Sequence, residues 1–287
     1  MPELPEIEVV KRSLFKMINK AKIEDIKIKN RKLRYKIPNS FRTQLINQKI
    51  INISRRSKYL IIYLKKKLLL IHLGMTGKLL IMKNHDKTIF KTSFYYDLNI
   101  NKKHNHIFFA LSNGVILIYN DVRRFGFFKI YNTTKQNNIV FIKKLGLEPF
   151  SKLLNLNYFK KFTKNKKKNI KNLLMDQSFI CGLGNIYVNE ILFLSRIKPF
   201  RFCNNLNEKE IKSLISNTRK ILNFSISKGG SSIKDFQNAT GDTGSFQQHF
   251  HVYGRQNKKC SRISCKGKIK IMKISNRSSF YCNSCQN

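Results

Sequence analysis

The first eight residues, Met1-Pro2-Glu3-Leu4-Pro5-Glu6-Ile7-Glu8, hold three of the 15 acidic side chains in a chain that carries 57 lysines and arginines. Removal of the initiator methionine before a small residue would leave Pro2 with a free secondary amine. An α-amine titrates near about 7.7–8.0, against about 10.4 for lysine, so an appreciable fraction is unprotonated and nucleophilic at neutral pH. Such an amine can attack the anomeric carbon of a sugar and expel its base. Ring opening then gives an iminium, cationic from the start because the amine is secondary. That cation acidifies the adjacent C2′ proton and drives β-elimination of the 3′ phosphate. Glu3 stands next to the amine and can move protons at the sugar ring, while Glu6 is spaced to orient or tune it. Read alone, the same string is also an ordinary helix start, where Pro and Glu are both favoured, and in isolation that is the simpler account.

A second chemically able group lies at the other end of the sequence. Four of the six cysteines fall in the last 28 residues, as Cys260-x4-Cys265, sixteen intervening residues, and Cys282-x2-Cys285. In a cytosolic chain this clustering reads as metal and not as disulfides. Two close pairs of thiolates can surround one Zn²⁺ tetrahedrally, a filled structural site with no position left for substrate. Between the pairs, KGKIKIMKI and NRSSFYC alternate like two strands of a hairpin. Cys181 and Cys203 stand apart from this group. The module says zinc ribbon or finger and nothing about substrate.

The rest of the chain must position these groups. Hydrophobic residues make up 41%, enough for a globular core, and no run approaches the roughly 18 apolar residues of a membrane span. MPELPEIEVV lacks the basic-then-apolar build of a signal peptide, so a cytosolic compartment is expected. A net charge of +42 points to a polyanionic partner, although Lys, Asn and Ile share A/T-rich codons and drift accounts for a large share of the excess. Ile7, Val10, Leu14, Met17 and Ile18 lie near helical spacing, which predicts a helix over 5–19 with Pro5 in its first turn. From Ala21 to Tyr131 short β-branched runs recur, with Ser112-Asn113-Gly114 as a hairpin turn, so a sandwich or barrel is expected. Asn84 to Asn105 reads as a polar, irregular excursion and Thr133 to Asn138 as a hinge. Roughly Lys152 to Lys228 is helical in period, with start signals at Asn205–Glu210 and a stop at Gly229-Gly230. Residues 231–257 read as a mobile loop rich in Gly, Ser, Asp and Gln.

MPELPEIE combines with RRSKYL (55–60), HLGMTGKL (72–79), DVRRFG (121–126), LGLEP (145–149), GLGNIYVNE (182–190), GGSSIKDF (229–236), FQQHFHVYGR (246–255) and the cysteine tail. Together, and in this order, they resemble the formamidopyrimidine-DNA glycosylase family. The resemblance implies that Pro2 is a Schiff-base nucleophile, Glu3 its acid/base partner, and Lys58 a proton donor and phosphate contact at the lesion. It implies that Arg277 grips the phosphates flanking the lesion and assists a second, δ-elimination. Met75, Arg123 and Phe125 resemble the trio that fills the void left by a flipped base, with Arg123 bonding the orphaned cytosine. Gly182-Leu183-Gly184-Asn185 resembles the helix–two-turns–helix motif, with Asn185 on the strand and backbone N–H groups aimed at phosphate. His104, Lys166 and Lys171 match DNA-contacting positions, and the loop 229–246 resembles the one that closes over flipped 8-oxoguanine. Two features depart from the family: its first cysteine pair is usually C-x2-C, and the excursion over 84–105 is longer.

The implied fold is α+β: an N-terminal β-sandwich with an N-terminal helix (1–133), a hinge (134–150), a helix–two-turns–helix domain (151–257) and a β-hairpin zinc finger (258–287). The implied activity is that of a bifunctional glycosylase and abasic-site lyase, excising oxidised purines from double-stranded DNA, preferably opposite cytosine. The implied cofactor is one structural zinc. A monomer in the bacterial cytoplasm, associated with the nucleoid and not with a membrane, completes the expectation. Two other readings stand beside it: an endonuclease VIII-like glycosylase for oxidised pyrimidines, and a non-catalytic zinc-finger DNA-binding protein. The second leaves Pro2, Glu3, Glu6 and Lys58 without purpose.

Overall fold

A computed structural model describes residues 2–83, 89–91, 101–164, 166–231 and 245–287. The chain forms two compact units, one from Met1–Lys143 with Ile226–Gln247, the other from Lys144–Ser225 with Gln248–Asn287.

In the first unit, helix α1 (Leu4–Ile18) buries Leu4, Ile7, Val10, Leu14 and Ile18, a stripe at intervals of three and four residues. Nine strands follow: β1 (Ile23–Ile28), β2 (Ile50–Arg56), β3 (Tyr59–Leu64), β4 (Lys67–His72), β5 (Lys78–Lys83), β6 (Ile89–Lys91), β7 (Asn105–Leu111), β8 (Val115–Asn120) and β9 (Phe127–Asn132), with the short helix α2 (Phe41–Leu45) after β1. They form a five-stranded sheet, β1-β7-β8-β5-β6, and a four-stranded sheet, β2-β3-β4-β9. Ile26, Phe109 and Leu117 from the first sheet meet Ile53, Ile62, Ile71 and Phe128 from the second in one core, with α1 packed against it. This is the expected sandwich. Gly114 takes φ +73° in the predicted β7–β8 turn, and Asn113 donates to the Met17 carbonyl at 2.8 Å.

The polar excursion is less irregular than its composition suggests. Ile89–Lys91 pairs with Leu80–Met82 of β5, and Lys102–His104 forms a 3-10 turn leading into β7; residues 84–88 and 92–100 lie outside the described residues. Thr133–Asn138 is likewise a 3-10 turn and not an open linker. It leads into helix α3 (Val140–Lys143), and Ile139 is buried against Ile61, Leu68, Leu70 and Phe127 of the first unit.

The second unit holds α4 (Leu156–Thr163), α5 (Ile170–Met175), α6 (Asn185–Leu194), most of α7 (Glu208–Ser227) and a hairpin of β10 (Ile269–Ile274) and β11 (Arg277–Cys282). The starts of α4, α5 and α7 follow from local side chains. Asn155 and Asn169 accept from the N–H three residues on, while Asn207 and Glu210 cap α7 reciprocally, both bonds at 2.9 Å. Ser275 and Asn276 take φ +48° and +59° between β10 and β11, a turn that matches the twist of the strands. Residues 246–257, expected as part of a mobile loop, are packed: Phe246 and Val252 are buried. The buried Glu190 carboxylate accepts from the N–H groups of His251, Val252 and Tyr253 at 2.8–3.0 Å. Among the described residues no helix is long and apolar enough to cross a membrane.

Candidate active site and nucleic-acid interface

Pro2, Glu3 and Glu6 are all buried at the start of α1. Glu6 fastens this segment on two sides. Its Oε2 accepts from the Glu3 N–H at 2.8 Å. Its Oε1 accepts from the Ser231 N–H at 2.8 Å and from the Ser231 hydroxyl at 2.9 Å. Ser231 arrives there because Gly229 and Gly230 take φ +77° and +83° after α7, and it bridges to Ser245 across the loop base. Sequence reasoning did not find Ser231, which lies 225 residues from Glu6. The rest of the expected lesion-closing loop, 232–244, lies outside the described residues.

The third early acid has a structural task that its position alone did not suggest. Burial pushes the Glu8 carboxyl up, but Arg12, Lys11 and Arg55 more than offset this and hold it below the usual carboxylate range. Arg55 donates to Glu8 at 3.1 Å and to the Ser57 carbonyl at 2.8 Å. The tight Ser57-Lys58 turn between β2 and β3, with Ser57 at φ +55°, is thereby tied to α1, and Lys58 is 7% exposed. Nearby, His72 is held neutral, its pKa lowered to about 4 by burial and by the charges of Lys58 and Arg34. Its Nδ1 accepts from the Gly74 N–H at 3.0 Å, which fixes the start of the next loop.

That loop (73–77) and the loop 121–126 bring Met75, Arg123 and Phe125 together. Arg123 Nη1 lies 3.2 Å from Met75 Sδ, and its guanidinium stacks 4.4 Å from the Phe125 ring centre. Met75 and Phe125 remain 40% and 42% exposed. Neither side chain belongs to the core. Two large apolar side chains held in water around a cation suit insertion between stacked bases. His104 is half-buried at the end of its 3-10 turn.

The second unit carries the other expected contacts. Gly182 takes φ +91°, and its N–H donates to Gln177 Oε1 at 2.8 Å. This turn delivers Gly184 as the N-cap of α6. Asn185, at the first position of α6, donates to the Ser278 carbonyl at 3.1 Å, one residue from the exposed Arg277. Lys166 is exposed, with its amine 5.0 Å from the Phe162 ring centre. Lys171, which the resemblance matched to a DNA-contacting position, lies inside the unit. It is 1% exposed and donates to Ser278 O at 2.8 Å and Ser279 Oγ at 2.7 Å, so it braces the Arg277 turn from within instead of lying on the surface.

Burial, and secondarily the Arg277 charge, lower the Lys171 pKa from its ordinary 10.5 to about 8. The unfolded chain holds this proton up to about pH 10.4, so unfolding takes up a proton between the two values and stability rises with pH there. Relative to Lys171→Met, the wild-type chain should gain thermal stability between pH 8 and 10. A difference in Tm between the two that stays flat over that window would contradict a desolvated amine.

The four cysteines converge at the base of the hairpin. Their sulfurs all lie within 4.8 Å of one another, with Cys260–Cys285 at 3.7 Å and Cys265–Cys282 at 3.6 Å. Thiolates about 2.3 Å from a tetrahedral zinc stand about 3.8 Å apart, so the donor set fits such an ion. A Cβ on Gly267 would lie 2.8 Å from Cys282 Sγ, which is why glycine occupies that position.

Comparison with known proteins gives a consistent answer. Residues 1–128 match the family model for the formamidopyrimidine-DNA glycosylase N-terminal domain, and residues 145–237 match the formamidopyrimidine-DNA glycosylase H2TH domain. The formamidopyrimidine-DNA glycosylase of Rickettsia conorii is 42% identical over 287 residues, covering 100% of this chain and 99% of the relative. The chain belongs to the formamidopyrimidine-DNA glycosylase family. By family it is a DNA-repair glycosylase. A Lactococcus lactis Fpg variant in complex with DNA containing Fapy-dG is 34% identical with a TM-score of 0.86, each chain covered in full at 100%. The wild-type Lactococcus lactis Fpg bound to DNA containing an oxidised pyrimidine is 33% identical with a TM-score of 0.85, each chain again covered at 100%.

The four residues between Cys260 and Cys265 have a structural use. Arg262, one of them, donates to the Phe193 carbonyl at 2.7 Å and the Leu194 carbonyl at 3.2 Å, and it stacks 4.7 Å from the Phe193 ring centre. A cation thus satisfies the last carbonyls of α6, the favourable end of the helix dipole for positive charge.

Proposed function

We propose that this chain excises 8-oxoguanine and formamidopyrimidines from duplex DNA through a Schiff base on Pro2 and then cuts the strand by β,δ-elimination. The observation that carries the reading is the buried start of α1, where Glu6 holds the Glu3 backbone and so fixes the residue that follows the amine. The Pro2 nitrogen attacks C1′, the bond to the base breaks, and the base leaves with a proton supplied at the sugar or base. Glu3 is the group placed to move that proton. The ring-opened iminium draws electrons from C2′–H, the 3′ phosphate departs, and a second elimination, assisted by Arg277, releases the 5′ phosphate. Lys58 contacts the lesion phosphate. Met75 and Phe125 fill the gap in the stack, and Arg123 bonds the orphaned cytosine, which makes cytosine the preferred opposite base. His104, Lys166 and Asn185 hold the strand by its phosphates.

The cysteines hold one structural zinc, which supplies no chemistry to the reaction and fixes the hairpin that carries Arg277. The protein acts as a monomer in the cytoplasm, on nucleoid DNA. Oxidised pyrimidines are the second reading, favoured by the solved Lactococcus lactis complex with such DNA.

Borohydride trapping tests both. A duplex with one 8-oxoguanine opposite cytosine should give a covalent adduct that mass spectrometry maps to Pro2, exceeding the adduct on a thymine-glycol duplex. Trapping mainly on thymine glycol would move the chain to the pyrimidine reading. No adduct on either, with DNA still bound, would leave a binding protein.

A further inference from the structure

We propose that Asp121 is a positioning residue that locks Met75, Arg123 and Phe125 into one block, and that this lock sets how strongly the chain distinguishes the base opposite the lesion. The inference rests on the insertion reading above.

Asp121 is fully buried, at 0% exposure, and a buried carboxylate is costly unless its oxygens are bonded. Here both are. Oδ1 accepts from the Thr76 hydroxyl at 2.5 Å. Oδ2 accepts from the Tyr119 hydroxyl at 2.8 Å and from the Gly126 N–H at 2.9 Å. Thr76 follows Met75 directly, and Gly126 follows Phe125, so one side chain holds the exits of both inserting residues. Arg123 is drawn into the same chain, since its N–H donates to Thr76 Oγ1 at 3.1 Å. The Asp121 backbone continues the pattern. Its N–H donates to the His104 carbonyl at 3.0 Å, and its carbonyl accepts from His106 Nε2 at 2.7 Å.

The glycines show how closely the two loops are joined. A Cβ on Gly74 would lie 2.5 Å from the Phe125 carbonyl carbon, and one on Gly126 would lie 1.9 Å from the Tyr119 hydroxyl. The loops therefore touch backbone to backbone, and Asp121 is the group that supplies both with an acceptor. None of these bonds reaches the Pro2 segment, so the lock can be loosened without altering the amine.

Asp121→Asn keeps the volume but turns one acceptor into a donor, which must face either the Gly126 N–H or the Thr76 hydroxyl. Bonds to charged acceptors of this kind are worth enough to shift an equilibrium by about 10-fold or more. The test uses a duplex with a tetrahydrofuran abasic analogue and 2-aminopurine beside the orphaned base, so that unstacking is read by fluorescence without any chemistry. At saturating protein, Asp121→Asn should lose most of the fluorescence rise given by wild type. Excision of 8-oxoguanine opposite cytosine should fall by about 10-fold, and the preference for cytosine over adenine should shrink. Trapping on single-stranded abasic DNA, which has no stack to fill, should stay within about twofold of wild type. Thr76→Val should move the same readouts in the same direction, and Thr76→Ser should restore them.

An unchanged fluorescence rise together with an unchanged cytosine preference in Asp121→Asn would overturn the proposal. So would an equal loss of single-strand trapping, which would mean general unfolding. A wild-type protein that unstacks the duplex but never traps would refute the proposed activity and leave the lock to be judged on fluorescence alone.

Discussion

Glu3→Gln is expected to lower excision of the base by about 10²–10⁴-fold while leaving borohydride trapping on a preformed abasic site close to wild type. The two reactions differ in one respect. In the proposed reaction, excision needs a proton moved at the sugar or the departing base, whereas a preformed abasic aldehyde needs no base to leave and calls only on the Pro2 amine as nucleophile. Glu3 is 3% exposed, and its backbone is held by Glu6. The amide variant keeps its shape and its cap geometry and loses only the ability to shuttle a proton. Single-turnover rates on an 8-oxoguanine duplex and on an abasic duplex separate the cases. If both rates fell together, Glu3 would be holding the segment in place and not moving protons.

Loss of the metal is expected to abolish tight DNA binding, with the dissociation constant rising by more than about 100-fold. Structural zinc in small modules contributes about 10–16 kcal/mol of apparent folding free energy. Cys260, Cys282, Ile269 and Phe280 cluster around the sulfurs with Phe193 and Val252, so unfolding the knuckle also exposes one end of α6. Two of the proposed phosphate contacts in this unit, Asn185 and Arg277, depend on it. Asn185 and Lys171 donate to the Ser278 carbonyl, and the Phe280 N–H donates to Asn189 at 2.8 Å. Cys282→Ser should therefore lose bound metal and DNA affinity together, as read by metal analysis and a filter-binding titration. Cys203→Ser, outside the cluster, should keep both. A Cys282→Ser protein that binds DNA at wild-type strength would show that the hairpin holds its form without the ion.

What could be read in advance follows a physical division between local and distant determinants. Helix α1, the Ser112-Asn113-Gly114 turn and the cysteine knuckle announce themselves within a few residues, by apolar spacing, turn chemistry or thiolate pairing. Met75, Arg123 and Phe125 lie 50 residues apart at most, and only the family resemblance joined them before the structure did. Strand β6 was not legible because a three-residue edge pairing uses backbone groups and leaves no alternation in the side chains. Lys171 was not separable from Lys166, because in a chain with 57 basic residues a buried lysine and a solvated one look alike. Ser231 lies inside the GGSSIKDF string, but nothing local marks its pairing with Glu6; that role exists only once the chain has returned to Glu6.

That return has a consequence in time. Glu6 waits for a partner that is made 225 residues later, and the first compact unit draws its last segment, Ile226–Gln247, from beyond most of the second. At synthesis rates of about 5–20 residues per second, the Glu6 carboxylate is without Ser231 for roughly 10–45 s after it leaves the ribosome. A nascent or prematurely terminated chain therefore has Pro2, the proposed nucleophile, but not the brace on Glu6, and that brace is completed only on a polypeptide whose helical region has already been made.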